Sequence, residues 1–152
     1  MFTEGFLTFN DERLIRLDLE ISFLMDYIFL FQIRFGSNLN VEYDIPDAIS
    51  EYYIVPFALQ MLVENAIKHN VISYQKPLTI KIMVDEDTVT VSNNLQKRSS
   101  GVISTSTGLN NIITRNNLVI DREVVIDSTE NDFRISVPII DKRAYESINH
   151  RR

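Results

Sequence analysis

The chain has 152 residues, a formal net charge of −6 and no cysteine. This length suits one domain with a sizeable core, and the lack of cysteine excludes disulfides, iron–sulfur clusters and thiolate zinc sites. The negative charge argues against non-specific nucleic-acid binding. No apolar run reaches the ~18 residues that a membrane span requires, and no secretory signal is evident. The charge is uneven along the chain. Residues 1–55 carry ten acidic and three basic side chains, whereas residues 56–152 carry eleven acidic and twelve basic ones. The later part is therefore the better host for a phosphate-bearing ligand.

The first predicted element is a long helix from about Asp11 to Arg34. Its apolar residues repeat in alternating steps of three and four, as in a heptad seam. Gly36 is the predicted C-terminal stop. A helix packed on its own domain explains the seam, and a helix that also packs against a preceding dimerisation domain is the alternative. The seam consists of Leu14, Leu17, Ile21, Leu24, Ile28 and Phe31.

A second helix, predicted from Pro56 to His69, has two unlike faces. Its polar side carries Glu64, Asn65 and Lys68 within one turn. Asn is a poor helix-interior residue, and its side-chain oxygen suits a hard cation such as Mg²⁺. We expect Asn70 to close the helix in the left-handed conformation. The opposite, apolar stripe consists of Leu59, Leu62, Val63, Ala66 and Ile67.

The remaining elements come mainly as antiparallel pairs of strands. This order predicts a two-layer α/β sandwich, with a mixed, mostly antiparallel sheet covered by helices on one face. We expect the charged tail from Asp141 to fray. The predicted elements are strands at 38–45, 78–84, 88–93, 122–127 and 133–138 and a helix at 108–117. Candidate core residues of the last hairpin are Val124, Ile126, Phe133, Ile135 and Val137.

The polar stretch 94–107 ends at the N-terminus of the third helix. Free N–H groups near Thr107, Gly108 and Leu109, together with the helix dipole, favour an anion there. If the second helix faces this loop, Asn65 can hold Mg²⁺ between phosphates and Lys68 can neutralise charge. No P-loop and no Rossmann fingerprint occurs. The residues alone thus indicate a nucleotide site between two helices and a loop.

The segment Leu62-Val63-Glu64-Asn65-Ala66-Ile67-Lys68-His69 resembles the N-box of the GHKL ATP-binding domains, which are shared by gyrase, heat-shock chaperone, histidine kinase and MutL proteins. More narrowly, the chain resembles the LytS-type sensor histidine kinases. The resemblance implies the GHKL (Bergerat) type of two-layer α/β sandwich. Further matching segments are Tyr27 to Gly36, Pro56 with Leu59-Gln60, Gly108 to Ile112, and Phe133 to Pro138.

The resemblance also implies roles for individual residues. Asn65 would bind Mg²⁺, and Glu64 would orient or polarise the attacking group. Lys68 and His69 would lie near the phosphates of ATP. The full set of implied nucleotide-binding residues is Asn65, Lys68, His69, Asn93, Leu95, Thr107, Gly108 and Leu109.

Three positions depart from the family pattern. The adenine-reading Asp of the family is Asn93 here, the glycine two residues later is Leu95, and the first glycine of the lid-end Gly-x-Gly is Ser106. An Asn can still accept a hydrogen bond from the adenine amino group. The loss of the charge-assisted bond would weaken binding by ~1–2 kcal/mol.

The resemblance implies an enzyme, a protein histidine kinase, that uses ATP and Mg²⁺. We expect a linker helix at 1–36, an ATP-binding domain at 37–140 and a charged tail at 141–152. Neither His69 nor His150 resembles a phosphoacceptor, so we expect a longer parent kinase that supplies the histidine on a dimerisation domain. A LytTR-type response regulator is the expected partner. The expected location is the cytoplasmic portion of an inner-membrane kinase.

Two alternative functions are compatible with the sequence. The first is a degenerate module that keeps the fold and acts as a regulatory surface, which the departures at Asn93, Leu95 and Ser106 motivate. The second is a stand-alone serine kinase of the anti-sigma type, which the short length permits. The seam from Leu14 to Phe31 fits the LytS type better.

Overall fold

The structure is a computed structural model that describes residues 13–97 and 107–150. The helices of these residues are α1 (Leu17–Phe35), α2 (Ala58–His69), α3 (Thr107–Val119) and α4 (Lys142–His150), with short 3₁₀ turns at Gly36–Asn38 and Ile49–Glu51. The strands are β1 (Ile15–Arg16), β2 (Leu39–Asp44), β3 (Tyr52–Ile54), β4 (Leu78–Val84), β5 (Thr88–Asn94), β6 (Val125–Ser128), β7 (Asp132–Pro138) and β8 (Ile140–Asp141).

The larger sheet has five strands in the order β2-β4-β5-β7-β6. Strands β2 and β4 are parallel, and the other three pairings are antiparallel. Burial alternates along the central strand β4, as a pleated, one-sided sheet requires. On β4, Ile80 and Ile82 are fully buried, whereas Lys81 between them is exposed. The prediction of a mixed, mostly antiparallel sheet is confirmed.

Three helices cover one face of this sheet. The apolar stripe of α2 packs between the sheet and α1, and α3 adds Leu109 and Ile112. The opposite face of the sheet is polar, with a 2.8 Å hydrogen bond between the hydroxyls of Thr90 and Ser136. This arrangement confirms the two-layer α/β sandwich. Across residues 13–97 and 107–150, no helix combines the length and apolar character needed to cross a bilayer.

A second, smaller sheet joins β1, β3 and β8 in that order. Helix α4 packs against it, and the ring of Tyr145 stacks on Tyr53 with centroids 3.7 Å apart. A separate apolar cluster lies beneath, built from Leu14, Val55, Ile120 and Ile140.

The structure corrects four local predictions. Ile15–Arg16 form a strand, so α1 begins at Leu17 and Leu14 precedes the helix. The segment Lys142–His150 is helical and does not fray, because Tyr145 and its apolar neighbours pack on the small sheet. Asn70 is extended, with φ −120° and ψ 152°, because its side chain bonds back to the Ala66 carbonyl of α2 and across to the N–H of Gln96. Ile126 is 43% exposed and is not a core residue, because β6 forms the edge of the sheet.

Candidate nucleotide-binding site

The N-box segment lies on α2, and its two flanks face different neighbours. The apolar stripe buries α2 against the sheet and α1, as its spacing predicts. Asn65 and His69, one turn apart, lie on the flank toward a cavity. Glu64 lies on the other flank, where its carboxylate meets α1. Consecutive helix residues point about 100° apart, so adjacent N-box residues reach different surroundings.

The cavity has a volume of about 250 Å³ and lies between α2, the end of β5, the start of α3 and the β6–β7 pair. This volume falls just below the roughly 300–1,000 Å³ of typical ligand pockets. The cavity therefore suits one planar part of a ligand, such as a purine base, with the remainder extending outside. Its lining residues are Asn65, Ala66, His69, Asn70, Asn93, Leu95, Lys97, Leu109, Ile126 and Phe133.

The structure brings together five of the nine predicted site residues. Asn65, His69, Asn93, Leu95 and Leu109 all line the cavity, although they come from three separate parts of the chain. The other four lie outside its lining: Glu64, Lys68, Thr107 and Gly108. Lys68 and Thr107 are exposed, so both side chains remain free to approach a ligand group that extends beyond the cavity. Ser106 and the polar loop 98–106 lie outside the described residues.

Asn93 presents an acceptor to the cavity. The residue is 5% exposed, and its Nδ2 donates a 2.8 Å hydrogen bond to the backbone carbonyl of Asn94. Asn94 is itself fixed, because its Oδ1 accepts from the N–H of Thr79 at 2.7 Å. Within the described part of the chain, no side chain or backbone group bonds the Asn93 oxygen. That oxygen is therefore available to a ligand that donates a hydrogen bond.

His69 carries an unsatisfied polar atom. Its Nε2 is buried and has no hydrogen-bond partner among residues 13–97 and 107–150. A buried imidazole nitrogen without a partner costs about 1–3 kcal/mol. A polar ligand group in the cavity that His69 lines would satisfy this nitrogen.

Asn70 fixes the rim of the cavity. Its Nδ2 donates to the carbonyl of Ala66 at 2.8 Å, and its Oδ1 accepts from the N–H of Gln96 at 2.7 Å. The N–H of Val71 in turn donates to the Gln96 carbonyl at 2.8 Å. These bonds tie the end of α2 to the segment that leaves β5, so the two walls of the cavity are held together.

Gly108 packs closely against α2. A Cβ at this position would lie 2.5 Å from the sulfur of Met61 and 2.6 Å from its methyl carbon. Glycine thus lets the first turn of α3 approach α2 beside the cavity. The close packing gives a physical reason for glycine at this position.

Glu64 is held by α1. The Tyr27 hydroxyl donates to Oε2 of Glu64 at 3.2 Å, and the Tyr27 ring meets Phe31 edge-on at 4.9 Å. Burial and then the nearby Glu64 raise the pKa of Tyr27 to about 12. The phenol therefore keeps its proton at neutral pH and remains a donor.

The N-terminus of α2 is capped from α1. Phe57 is the N-cap in the left-handed conformation, with φ 65°, and makes no side-chain cap of its own. The Glu20 carboxylate accepts from the N–H groups of Phe57 (2.9 Å) and Leu59 (3.0 Å). Burial raises the pKa of Glu20, and these two hydrogen bonds oppose that rise. Arg115 of α3 donates to the Pro56 carbonyl at 2.9 Å, so three helices meet at this point.

Sequence reasoning missed several residues of the site. Ile126 and Phe133 line the cavity, but their apolar character indicates core as readily as ligand contact. Tyr27 and Glu20 act across 37 residues or more, which no local spacing reveals. Their polarity within an apolar seam is the one signal in the sequence that could have indicated a buried partner.

A second, open groove of about 720 Å³ lies between the end of α3, β8 and α4. It is larger than the N-box cavity, but its rim has the wrong charge for a polyphosphate. Four carboxylates surround the one cation in its lining, Arg122. These carboxylates are Glu86, Asp87, Asp121 and Asp141. The smaller cavity is therefore the better candidate.

Two solved histidine kinase structures share this architecture. The cytoplasmic segment of histidine kinase QseC aligns with a TM-score of 0.59 at 16% identity, covering 92% of this chain and 91% of that chain. The catalytic domain of histidine kinase ThkA gives 0.55 at 15% identity, covering 82% and 95%. This chain has the HATPase (GHKL) fold of histidine kinase catalytic domains, as predicted.

The sequence gives a more particular likeness. Sensor histidine kinase/phosphatase LytS of Staphylococcus aureus, strains Mu50 and N315, is 32% identical over 81 residues. This stretch is 53% of the chain and only 14% of LytS. The similarity is distant, and it confirms the predicted resemblance. No protein-family model matches the chain.

Proposed function

We propose that this chain is the ATP-binding catalytic domain of a two-component sensor histidine kinase. It binds Mg²⁺–ATP and donates the γ-phosphoryl group to a histidine on a separate dimerisation domain. The observation that carries the proposal is the cavity where Asn65 and His69 of the N-box meet Asn93 and Leu95 from the end of β5.

The base end of the site favours adenine. The free side-chain oxygen of Asn93 is an acceptor, and adenine carries an exocyclic amino group where guanine carries a carbonyl oxygen. Apolar contacts come from Leu95 and Phe133, which line the same cavity. Adenine, whose amino group donates a hydrogen bond, therefore fits beside the Asn93 oxygen. Guanine is disfavoured, because its carbonyl oxygen would face another acceptor there.

The phosphate end of the site uses Asn65, Lys68 and the first turn of α3. The described residues contain no group of three or more His, Asp or Glu side chains that could hold a metal ion. Asn65 would therefore supply one ligand of Mg²⁺, with phosphate oxygens and water supplying the rest. The bound ion would neutralise charge on the phosphates. Lys68 and the N–H groups at Thr107 and Gly108 would add to this neutralisation.

Phosphoryl transfer depends mainly on positioning and charge neutralisation. Glu64 is the residue that the resemblance assigns to orienting the attacking group; its carboxylate lies on the α1 flank, outside the cavity lining, with one oxygen held by Tyr27. The acceptor histidine belongs to a domain of the parent kinase, and a LytTR-type response regulator receives the phosphoryl group next. We place the chain in the cytoplasmic portion of an inner-membrane kinase, in line with its similarity to the cytoplasmic segment of QseC.

Titration calorimetry tests the proposal. We expect Mg²⁺–ADP and Mg²⁺–ATP to bind with dissociation constants below about 1 mM, and Mg²⁺–GDP to bind about tenfold more weakly or worse. Asn117→Ala, on the exposed end of α3 beside the other groove, is the matched control and should bind as the parent does. Absence of ADP and ATP binding at millimolar concentration would contradict the proposal.

A degenerate module with a regulatory role is the second candidate. Leu95 lines the cavity where the family has glycine, and Asn93 replaces the family's charged base reader. Both changes favour weaker nucleotide binding. Phosphorylation of the parent kinase's histidine domain by this chain with ATP would exclude this candidate, since a degenerate module transfers no phosphate.

A further inference from the structure

Helix α1 is attached to α2 by two polar links, in the same order along both helices. Glu20 binds the N–H groups at the start of α2, and Tyr27 binds Glu64 farther along it. Glu20 and Tyr27 are seven positions apart in the sequence, so both lie on one face of α1 about two turns apart. The links leave little freedom for α2 to rotate or slide on α1.

The rotation of α2 determines where Asn65 points. Asn65 directly follows Glu64, the residue that Tyr27 holds, and no described residue donates a hydrogen bond to its side chain. Because side chains end about 6 Å from a helix axis, a rotation of about 10° moves them by about 1 Å. An error of that size is enough to misplace a ligand atom of a metal or phosphate site. Asn93, which the proposed function assigns to the base, lies on the separate strand β5, so a rotation of α2 changes the position of Asn65 relative to it.

We propose that α1 is a positioning element of the nucleotide site, in which Tyr27, with Glu20 as second anchor, fixes α2 so that Asn65 meets the metal-bound phosphates. Tyr27 acts through Glu64 and touches no ligand. This inference rests on the proposed function, because it concerns how Mg²⁺-dependent nucleotide binding is organised.

The test is Tyr27→Phe, which removes the hydroxyl and keeps the ring contact with Phe31. Calorimetry measures ADP binding with Mg²⁺ and with EDTA. We expect Mg²⁺–ADP affinity to fall by about three- to tenfold, and ADP affinity in EDTA to change by less than about twofold. Tyr43→Phe removes a hydroxyl from the edge strand β2 and should leave both affinities unchanged.

A double-mutant cycle identifies the hydrogen bond as the cause. In a Glu64→Ala background, Tyr27→Phe should have no further effect on Mg²⁺–ADP affinity, since the bond is already lost. Three results would overturn the inference while the proposed function stands. They are an equal loss of ADP affinity with and without Mg²⁺ in Tyr27→Phe, additive effects of Tyr27→Phe and Glu64→Ala, and ADP binding by Tyr27→Phe that equals that of the parent. Failure of the parent protein to bind ADP under either condition would overturn the proposed function and this inference with it.

Discussion

The two flanks of α2 differ in how their polar atoms are satisfied. On the flank toward the cavity, Nε2 of His69 is buried and has no partner in the part of the chain that the structure describes. On the flank toward α1, Glu64 is bonded to Tyr27, and the N–H groups at the start of α2 are bonded to Glu20. A buried nitrogen beside a cavity that lacks a partner among the described residues favours a ligand there, whereas the bonded groups on the α1 flank hold the helix in place. The proposed function therefore assigns ligand binding to one side of the N-box segment and helix placement to the other.

This comparison predicts that substitutions on the two flanks affect different quantities. Cavity-flank substitutions should change nucleotide affinity with little change in the free energy of unfolding. Substitutions on the α1 flank should lower the free energy of unfolding, and should change affinity only where α2 moves.

Asn65→Ala should have the largest effect on binding. Since the proposed function makes Asn65 a ligand of Mg²⁺, its loss should weaken Mg²⁺–nucleotide binding about 100-fold. The free energy of unfolding should change by less than about 0.5 kcal/mol, because the side chain is only half-buried and bonds to no described residue. Calorimetry and urea unfolding measure the two quantities. Parent-like binding by this variant would show that the site assignment is wrong.

Glu20→Gln should lower the free energy of unfolding by about 2 kcal/mol at neutral pH, because an amide oxygen satisfies only one of the two N–H groups at the start of α2. Denaturant unfolding measures the loss. An unchanged midpoint would show that the buried carboxylate does not hold α2.

The loss of stability in Glu20→Gln should also depend on pH. Burial raises the pKa of Glu20 above 4.5, so the folded protein binds this proton more tightly than the unfolded chain does. The stability contributed by Glu20 is therefore greatest at low pH and falls as the pH rises from 4.5 through the folded pKa. The difference between parent and Glu20→Gln should widen as the pH drops from 7 toward 4.5. If the difference in stability between parent and variant narrows as the pH drops, the folded protein binds the Glu20 proton less tightly than the unfolded chain does, which would contradict this prediction.

Asn93→Asp tests the wall opposite α2. A carboxylate would form a charge-assisted bond with the adenine amino group but would lose the bond from Nδ2 to the Asn94 carbonyl, so ADP binding should strengthen by up to about 1–2 kcal/mol, or roughly five- to thirtyfold. Neighbouring Asn94→Asp is the control and should give no gain, because Asn94 bonds Thr79 and lies outside the cavity lining. Equal binding by Asn93→Asp and the parent would indicate that the base does not contact this residue.

Gly108→Ala should have the smallest effect. Its Cβ would lie 2.5 Å from the Met61 sulfur, but a methionine side chain can shift. We expect nucleotide affinity to fall about two- to fivefold as the start of α3 moves away from α2. Met61→Ala in the same chain should restore it. If the double variant binds no better than Gly108→Ala alone, contact with Met61 is not the cause.

The sequence predicted those features that depend on local periodicity. The stripe of α2 and the alternation of β4 are both confirmed, because each repeat directly places side chains on one face. The small sheet was missed because Ile15–Arg16 and Ile140–Asp141 are two residues long and contain no period. Asn70 was assigned a left-handed backbone from residue type alone, whereas its conformation follows from bonds to Ala66 and Gln96.

The cavity itself was predictable only in part. The N-box resemblance pointed to Asn65 and His69, and the strand ending at Asn93 supplied the facing wall. Ile126 was assigned to the core because apolar residues in a strand usually lie there, yet it borders the cavity at the edge of the sheet. The bond from Tyr27 to Glu64 depends on how α1 packs on α2, which sequence spacing does not determine.

The most direct test of the central claim is an amide chemical-shift map of the ¹⁵N-labelled chain titrated with Mg²⁺–ADP. We expect the largest shifts at Asn65, His69 and Asn93, which line the cavity. The acidic groove, represented by Asp121 and Asp141, should remain unchanged. Shifts confined to that groove, or no shifts at all at millimolar ADP, would contradict the account.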